Sequence, residues 1–298
     1  MRRPLGHHLR RWALGWAAVL IAGCGAHPGP SPLIAGCGAH PGPSPLTVGM
    51  APDPQAQVLA HLYASALRST GAAVRIEAVA DPVPGLDSGE LTVVPGFTGR
   101  LLAIFAPDAV ARSDRGVYWA LAGALPEGLA VGDYAMSAED KPMLAVTEAT
   151  ALAWGDSDLG ALVRHCAGLA VGRVAGAPAP TAVGRCALPK AREFPNDTAL
   201  FAALRARQIT AAWATTADPG VPEDVVLLTD GRPALVRAEN VVPLYRRNEL
   251  NEAQLLAVNQ VAGVLDTEAL IEMRRRVAEG ADPQVVVDGF LDEHPLGR

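Results

Sequence analysis

The sequence predicts an α/β protein, and three observations carry that reading. The chain has 298 residues, of which 50% are hydrophobic, enough for a substantial core. Short apolar runs alternate with stretches of helical periodicity from residue 46 onward. The clearest unit is Glu90–Phe105, with Leu91–Val94 as a strand, a break at Pro95-Gly96, and a helix from about Thr98 carrying Leu101, Leu102 and Phe105 on one face. In such folds ligands collect where strand carboxyl ends meet helix amino ends, because unpaired N–H donors point outward there. Phe97 and Thr98 occupy that seam.

The elements follow in order. Leu46–Met50 reads as a strand, and Gln55–Thr70 as a helix with Val58, Leu59, Leu62 and Leu67 at helical spacing. Gly71 closes it, and Val74–Val79 alternates as a second strand before a loop at Asp81–Gly89. Val117–Leu125 is helical and Leu129–Val131 strand-like. Pro142–Val146 is a strand running into a short helix capped at Thr147 and ending near Trp154-Gly155. A helix at Asp158–Cys166, a strand at Leu169–Val174 and a loop at Pro178–Pro195 come next. A helix at Thr198–Gln208 precedes strands at Thr210–Thr215, Val225–Leu228 and Val241–Tyr245. The chain ends in helices at Glu252–Leu265, Thr267–Glu279 and Pro283–His294, with Thr267 read as an N-cap and Pro283 as a first helical residue. This alternation predicts a doubly wound, mainly parallel sheet.

The amino terminus has the pattern of an export signal. Arg2, Arg3, Arg10 and Arg11 precede the apolar run Trp12–Ile21, which is too short to span a bilayer. It leads into Leu20-Ile21-Ala22-Gly23-Cys24, similar to a bacterial lipobox, in which small residues admit the peptidase and the cysteine thiol takes the lipid. Residues 20–32 recur unchanged as residues 33–45. The copy supplies a second candidate, Cys37, but Pro28, Pro30 and Pro32 interrupt the apolar run ahead of it, which favours Cys24. The expectation is a signal peptide at 1–23, a Pro/Gly-rich tether at 24–45, and a body on the outer side of the cell membrane. Cleavage would take the formal charge from −6 to roughly −10. With no basic run outside the amino terminus, nucleic acid is not an expected partner.

The body resembles the substrate-binding proteins of osmoprotectant ABC transporters, the glycine betaine/choline-binding (OpuAC or ProX-like) family. Leu46-Thr47-Val48-Gly49 with Gln55…Leu59-Ala60-His61-Leu62-Tyr63 is similar to the family's first strand and helix. Val93-Val94-Pro95-Gly96-Phe97-Thr98-Gly99 resembles its YPEYTGT segment, and Ala214-Thr215-Thr216-Ala217-Asp218-Pro219 its FTTDP segment. Asn240-Val241-Val242-Pro243 resembles its NVVP crossover, and Leu265–Leu270 with Asp282-Pro283 and Phe290-Leu291 its last helices. A divergent actinobacterial lipoprotein of that family fits the pattern. The resemblance implies a two-lobed periplasmic-binding-protein fold (type II), each lobe a sheet flanked by helices, with two crossovers. Lobe one would comprise 46–142 and 246–298, and lobe two 143–245.

It also implies a ligand site in the cleft: Phe97 and Thr98 from lobe one with Asp53 and Tyr134 nearby, and Thr215, Thr216 and Asn240 from lobe two and the crossover. Family members hold a quaternary ammonium against several tyrosine faces. Here Phe97 stands in a tyrosine position and Glu239 in another. Of the four tyrosines, Tyr63 and Tyr118 fall on helices as core residues, Tyr134 in a loop and Tyr245 on the crossover. The arginine loop that grips the ligand carboxylate has no clear counterpart, Gly172–Pro195 offering only Arg173, Arg185 and Arg192. Cys166 and Cys186 are expected to form a disulfide in an exported protein. His165 beside Cys166 lacks the further ligands that zinc needs.

The function implied is capture of a small polar or cationic solute by a monomer, for delivery to an ABC permease, with no cofactor, no metal and no reaction. A binding fold kept as an envelope scaffold or sensor is the alternative. An exported enzyme is disfavoured because no Gly-x-Ser-x-Gly, Walker loop or paired-carboxylate motif is present.

Overall fold

The computed structural model describes residues 44–52 and 54–297. The expected export signal, the tether up to residue 43, Cys24, Cys37 and Asp53 lie outside the described residues. Two five-stranded sheets, each flanked by helices, form the two lobes.

The first lobe begins with β1 (Leu46–Met50), α1 (Pro54–Arg68) and β2 (Val74–Ala78), the two strands parallel. α2 (Pro82–Ser88) follows where the sequence reading placed a loop. Its signals are local: the Asp81 side chain accepts the Val83 N–H, Pro82 opens the first turn, and Gly89 closes the helix at φ 85°. β3 (Val93–Phe97), α3 (Thr98–Phe105), α4 (Asp114–Ala124) and β4 (Leu129–Val131) complete the amino-terminal part.

Pro95-Gly96 does not break β3, contrary to expectation, and the reason lies across the sheet. Pro95 pairs with Pro243 of the antiparallel strand β12 (Val241–Arg246). Pro243 sends its carbonyl to the Gly132 N–H on the β4 side, so its missing N–H also points away from β3. β1 has already left the ladder, its register with β3 being confined to Val48↔Val93. The two prolines therefore sit where no ladder donor is needed.

The chain crosses to the second lobe at residues 139–142 and builds β5 (Pro142–Thr147), α5 (Glu148–Trp154), α6 (Leu159–Arg164) and β6 (Val171–Val174). The short strands β7 (Ala182–Val183), β8 (Cys186–Ala187) and β9 (Arg192–Phe194) occupy the stretch read as loop. α7 (Asp197–Arg205), β10 (Ala211–Thr215) and β11 (Val225–Leu227) finish this lobe. Cys166 and Cys186 are joined, with Cα atoms 5.6 Å apart. The return crossing comes ahead of Val241, so β12 is hydrogen-bonded within the first sheet although the sequence reading ended lobe two at 245. α8 (Glu252–Val264), α9 (Thr267–Ala278) and α10 (Pro283–Glu293) then pack on the first lobe. Asp266, not Thr267, caps α9; the Thr267 hydroxyl instead donates to Ser137 O and accepts the Glu139 N–H.

The sheet orders are β2-β1-β3-β12-β4 and β11-β5-β10-β6-β9. Both are mixed, not mainly parallel. β12 runs antiparallel to β3 and β4, and β5 antiparallel to β10 and β11, because β5 and β12 follow the crossings and enter their sheets from the opposite end.

Candidate functional site

The two crossings lie side by side, bridged antiparallel at Glu139↔Asn240, and the cleft opens beside them. A buried ionic cluster ties them. Asp140 is fully buried and accepts from Arg274 Nη1 of α9 at 2.9 Å and from Arg100 Nη2 of α3 at 2.6 Å. The Thr215 hydroxyl, at the end of β10, donates to Oδ1, the oxygen that also accepts from Arg274. Burial alone would raise the Asp140 carboxyl, but the Arg274 and Arg100 guanidiniums outweigh it and hold it below the ordinary carboxylate value. Arg274, itself 3% exposed, also donates to Ala217 O. Its Nε and Nη2 have no hydrogen-bond partner among the described residues, and the guanidinium lies 5.6 Å from the centroid of the Phe97 ring. The Arg100 guanidinium lies over the same ring at 4.4 Å. Phe97 thus has its cation-attracting face covered by the protein's own cations.

The helix amino terminus at the same seam is also filled. Glu239 Oε2 accepts the Arg100 N–H at 2.8 Å, and the carboxylate also takes the Gly99 N–H. Burial pushes its pKa up to about 7 against these lowering contacts. Lys141 pairs with Asp230 nearby.

Arg100 divides the cleft into two recesses with walls from both lobes. One, of about 540 Å³, is lined by Arg100, Arg112, Arg237 and Glu239 together with Pro142 and Leu235. The other, of about 530 Å³, carries Trp213, Thr215, Asp197 and Asp218 beyond Arg100. Burial, then the neighbouring Asp197, pushes Asp218 up to about 6.

The residues expected at the site are brought only partly together. Phe97 and Thr215 belong to the ionic cluster, and Thr215 lines the second recess. Thr98 is fully buried, its hydroxyl accepting the Asn240 N–H at 3.1 Å. Asn240 Nδ2 donates to Ala135 O. Thr216 accepts the Lys141 N–H and donates to Glu139 O, bracing one crossing. Tyr134 sits apart, its ring 4.7 Å from that of Tyr118, in a groove against α8 that shares no residue with the cleft recesses. Arg173 pairs with Glu193 and Arg192 covers Phe194, both at the far edge of the second sheet.

Sequence reasoning missed Arg100, Asp140, Arg274, Arg112 and Arg237. One signal was readable: Leu270, Met273, Arg274 and Val277 follow helical spacing, so Arg274 falls on the apolar stripe of α9, where a charge requires a partner. Nothing in the sequence marked Asp140 as that partner.

Comparison with known proteins decides the family. Residues 44–293 match the family model described as the substrate-binding domain of an ABC-type glycine betaine transport system. The chain belongs to that family. No curated protein sequence matches it. Among solved structures, apo YehZ from Escherichia coli aligns at 20% identity with a TM-score of 0.63, covering 85% of this chain and 99% of that one. A glycine betaine/carnitine/choline ABC transporter structure aligns at 13% identity and TM-score 0.68, covering 84% of this chain and 98% of the other. A choline-binding protein in complex with choline aligns at 15% identity and TM-score 0.54, covering 84% and 89%. At these identities the likeness shows the fold, the two-lobed type II arrangement of transporter binding proteins. The family is one of solute binders and not of enzymes.

Proposed function

We propose that this family member is a lipid-anchored, extracytoplasmic solute-binding protein of an ABC importer, capturing a small polar solute between its lobes. The carrying observation is the cleft itself: recesses walled by both lobes open beside two adjacent crossings, the geometry in which a small rotation about the crossings closes the lobes on a ligand. Thr98, Thr216 and Asn240 brace the crossings in this reading, while Arg100 and Thr215 line the recess and Phe97 lies covered beneath Arg100. The lipobox ending at Cys24 would hold the body at the membrane through the 24–45 tether, as a monomer serving a permease.

Two measurements test this. Mass spectrometry of the membrane-extracted protein should find an amino-terminal Cys24 carrying diacylglycerol. Small-angle scattering of the purified protein should show a smaller radius of gyration with a bound solute than without. A binding protein whose lobes do not move with any bound solute would favour the scaffold or sensor role.

A further inference from the structure

The recess on the Arg112 side of Arg100 is cationic in a chain whose formal charge is −6. Three arginines line it, Arg100, Arg112 and Arg237, against one carboxylate, Glu239. That carboxylate is committed to the backbone amides of α3. Arg100 is committed to Asp140. Among the described residues neither Arg112 nor Arg237 has an acidic side chain within ion-pairing distance; Arg237 is steadied by donating to Ala109 O. Two arginines without an ion-pair partner among the described residues thus line a recess whose other lining residues are largely apolar, Pro142 and Leu235 among them.

In this recess a quaternary ammonium finds the opposite conditions, since no aromatic side chain is among its lining residues. The one aromatic face at the cluster, Phe97, is covered by Arg100 and Arg274. Arg274 cannot swing away cheaply, because it is buried and paired with the fully buried Asp140. A trimethylammonium group also cannot donate a hydrogen bond to the carboxylates nearby.

We propose that the cleft takes a small organic anion, a carboxylate or phosphate group on an apolar body, with the anionic group at Arg112 and Arg237 and the body against Pro142 and Leu235. Guanidinium forks match the planar or tetrahedral oxygens of such groups. The second recess, with Asp197 and Asp218, repels a further negative charge, so the ligand carries its charge at one end. The inference rests on the cleft being the capture site proposed above.

Calorimetry of the purified protein at low salt, with benzoate, lactate, glycerol 3-phosphate, choline and glycine betaine as probes, tests it. One or more of the three anions should bind, the carboxylates and the phosphate ester distinguishing the two anion types. Binding should weaken about tenfold or more in Arg112→Gln and in Arg237→Gln, as expected for loss of a charge-assisted hydrogen bond. Arg237→Lys, which keeps the charge but loses the fork, should bind more tightly than Arg237→Gln and more weakly than the unchanged protein, and added salt should reduce the affinity. If choline or glycine betaine binds and no anion does, the anion proposal fails while the capture role stands. Anion binding indifferent to both Gln variants also overturns it. Silence from all five probes, with the fold confirmed by circular dichroism, overturns the anion proposal and counts against the capture role as well.

Discussion

Asp140 and Glu239 are both enclosed carboxyls close to the crossings, and their surroundings push them in opposite directions. Asp140 remains charged because two guanidiniums reach it, so removing the charge strands Arg274 in the interior. Asp140→Asn should lower unfolding stability by about 3–5 kcal/mol, the cost of breaking one partner of a buried pair, read as a lower urea midpoint at unchanged slope. Glu239 behaves oppositely. A carboxyl whose folded-state pKa exceeds its unfolded value binds its proton more tightly in the native state. Stability then falls as pH rises from the ordinary value of 4.5 through about 7. Asp218, raised from 3.8 to about 6, adds to the same trend. Asp140, held below 3.8, contributes stability that is lost only as pH drops beneath that value. The melting temperature should therefore rise on acidification from about pH 8 to about pH 5 and fall below about pH 4. Glu239→Gln should flatten the upper limb; a variant with an unchanged profile would remove Glu239 from this account. At this scale the sequence was least legible. Phe97 and Thr215 were found through matching segments, but Asp140 lies 75 positions from Thr215 and Arg274 lies 177 from Phe97, while Arg100, three residues beyond Phe97, is hidden in the helix pattern of α3.

Among the elements, the helices and most strands were legible because caps and periodicity are local. Thr147, Asp158 and Asn251 cap α5, α6 and α8 through their side chains, and each could be read from its position before an apolar run. α2 was hidden by its two prolines and a glycine, although Asp81 and Gly89 frame it; Asp81→Ala should cost about 1 kcal/mol. β3 was cut short because the tolerance of Pro95 depends on Pro243, which lies far along the chain. Likewise, strand direction depends on how the crossings enter each sheet, which no local pattern states. A close backbone approach lies at the start of α3. A Cβ on Gly99 would meet Ala238 O at 2.5 Å and Glu239 Oε1 at 2.6 Å, and the first of these is backbone that cannot yield. Gly99→Ala should therefore destabilise by about 1–3 kcal/mol through overpacking, and thermal melts should show it. A neutral result would mean that α3 can slide away from the return crossing.

For the whole molecule, each lobe holds two apolar clusters among the described residues. Those of the first lie around α1 and between α3 and α4, those of the second around Trp213 with Leu162 and around Phe201. The four share no buried residue, although Ala217, just past β10, belongs to the cluster around α1. The lobes meet at the crossings, where the covering side chains are polar and ionic. Among the described residues covalent reinforcement is confined to the second lobe, where Cys166–Cys186 closes a loop with a sequence separation of 20 between α6 and β8. Such a loop contributes about 3 kcal/mol by restricting the unfolded chain. Because the first lobe gains nothing directly from this link, reduction should loosen the molecule unevenly. Hydrogen exchange followed by mass spectrometry should show, on adding a thiol reductant, faster exchange across α6, β6 and β10, with α1 and β1 unchanged. If both lobes loosened equally, the crossings would be transmitting stability between them. The Asp140 cluster would then act as a rigid joint, and ligand closure would need to break it. If only the second lobe responds, the cluster is a pivot on which each lobe keeps its own stability, and closure can proceed by rotation with the ion pairs intact.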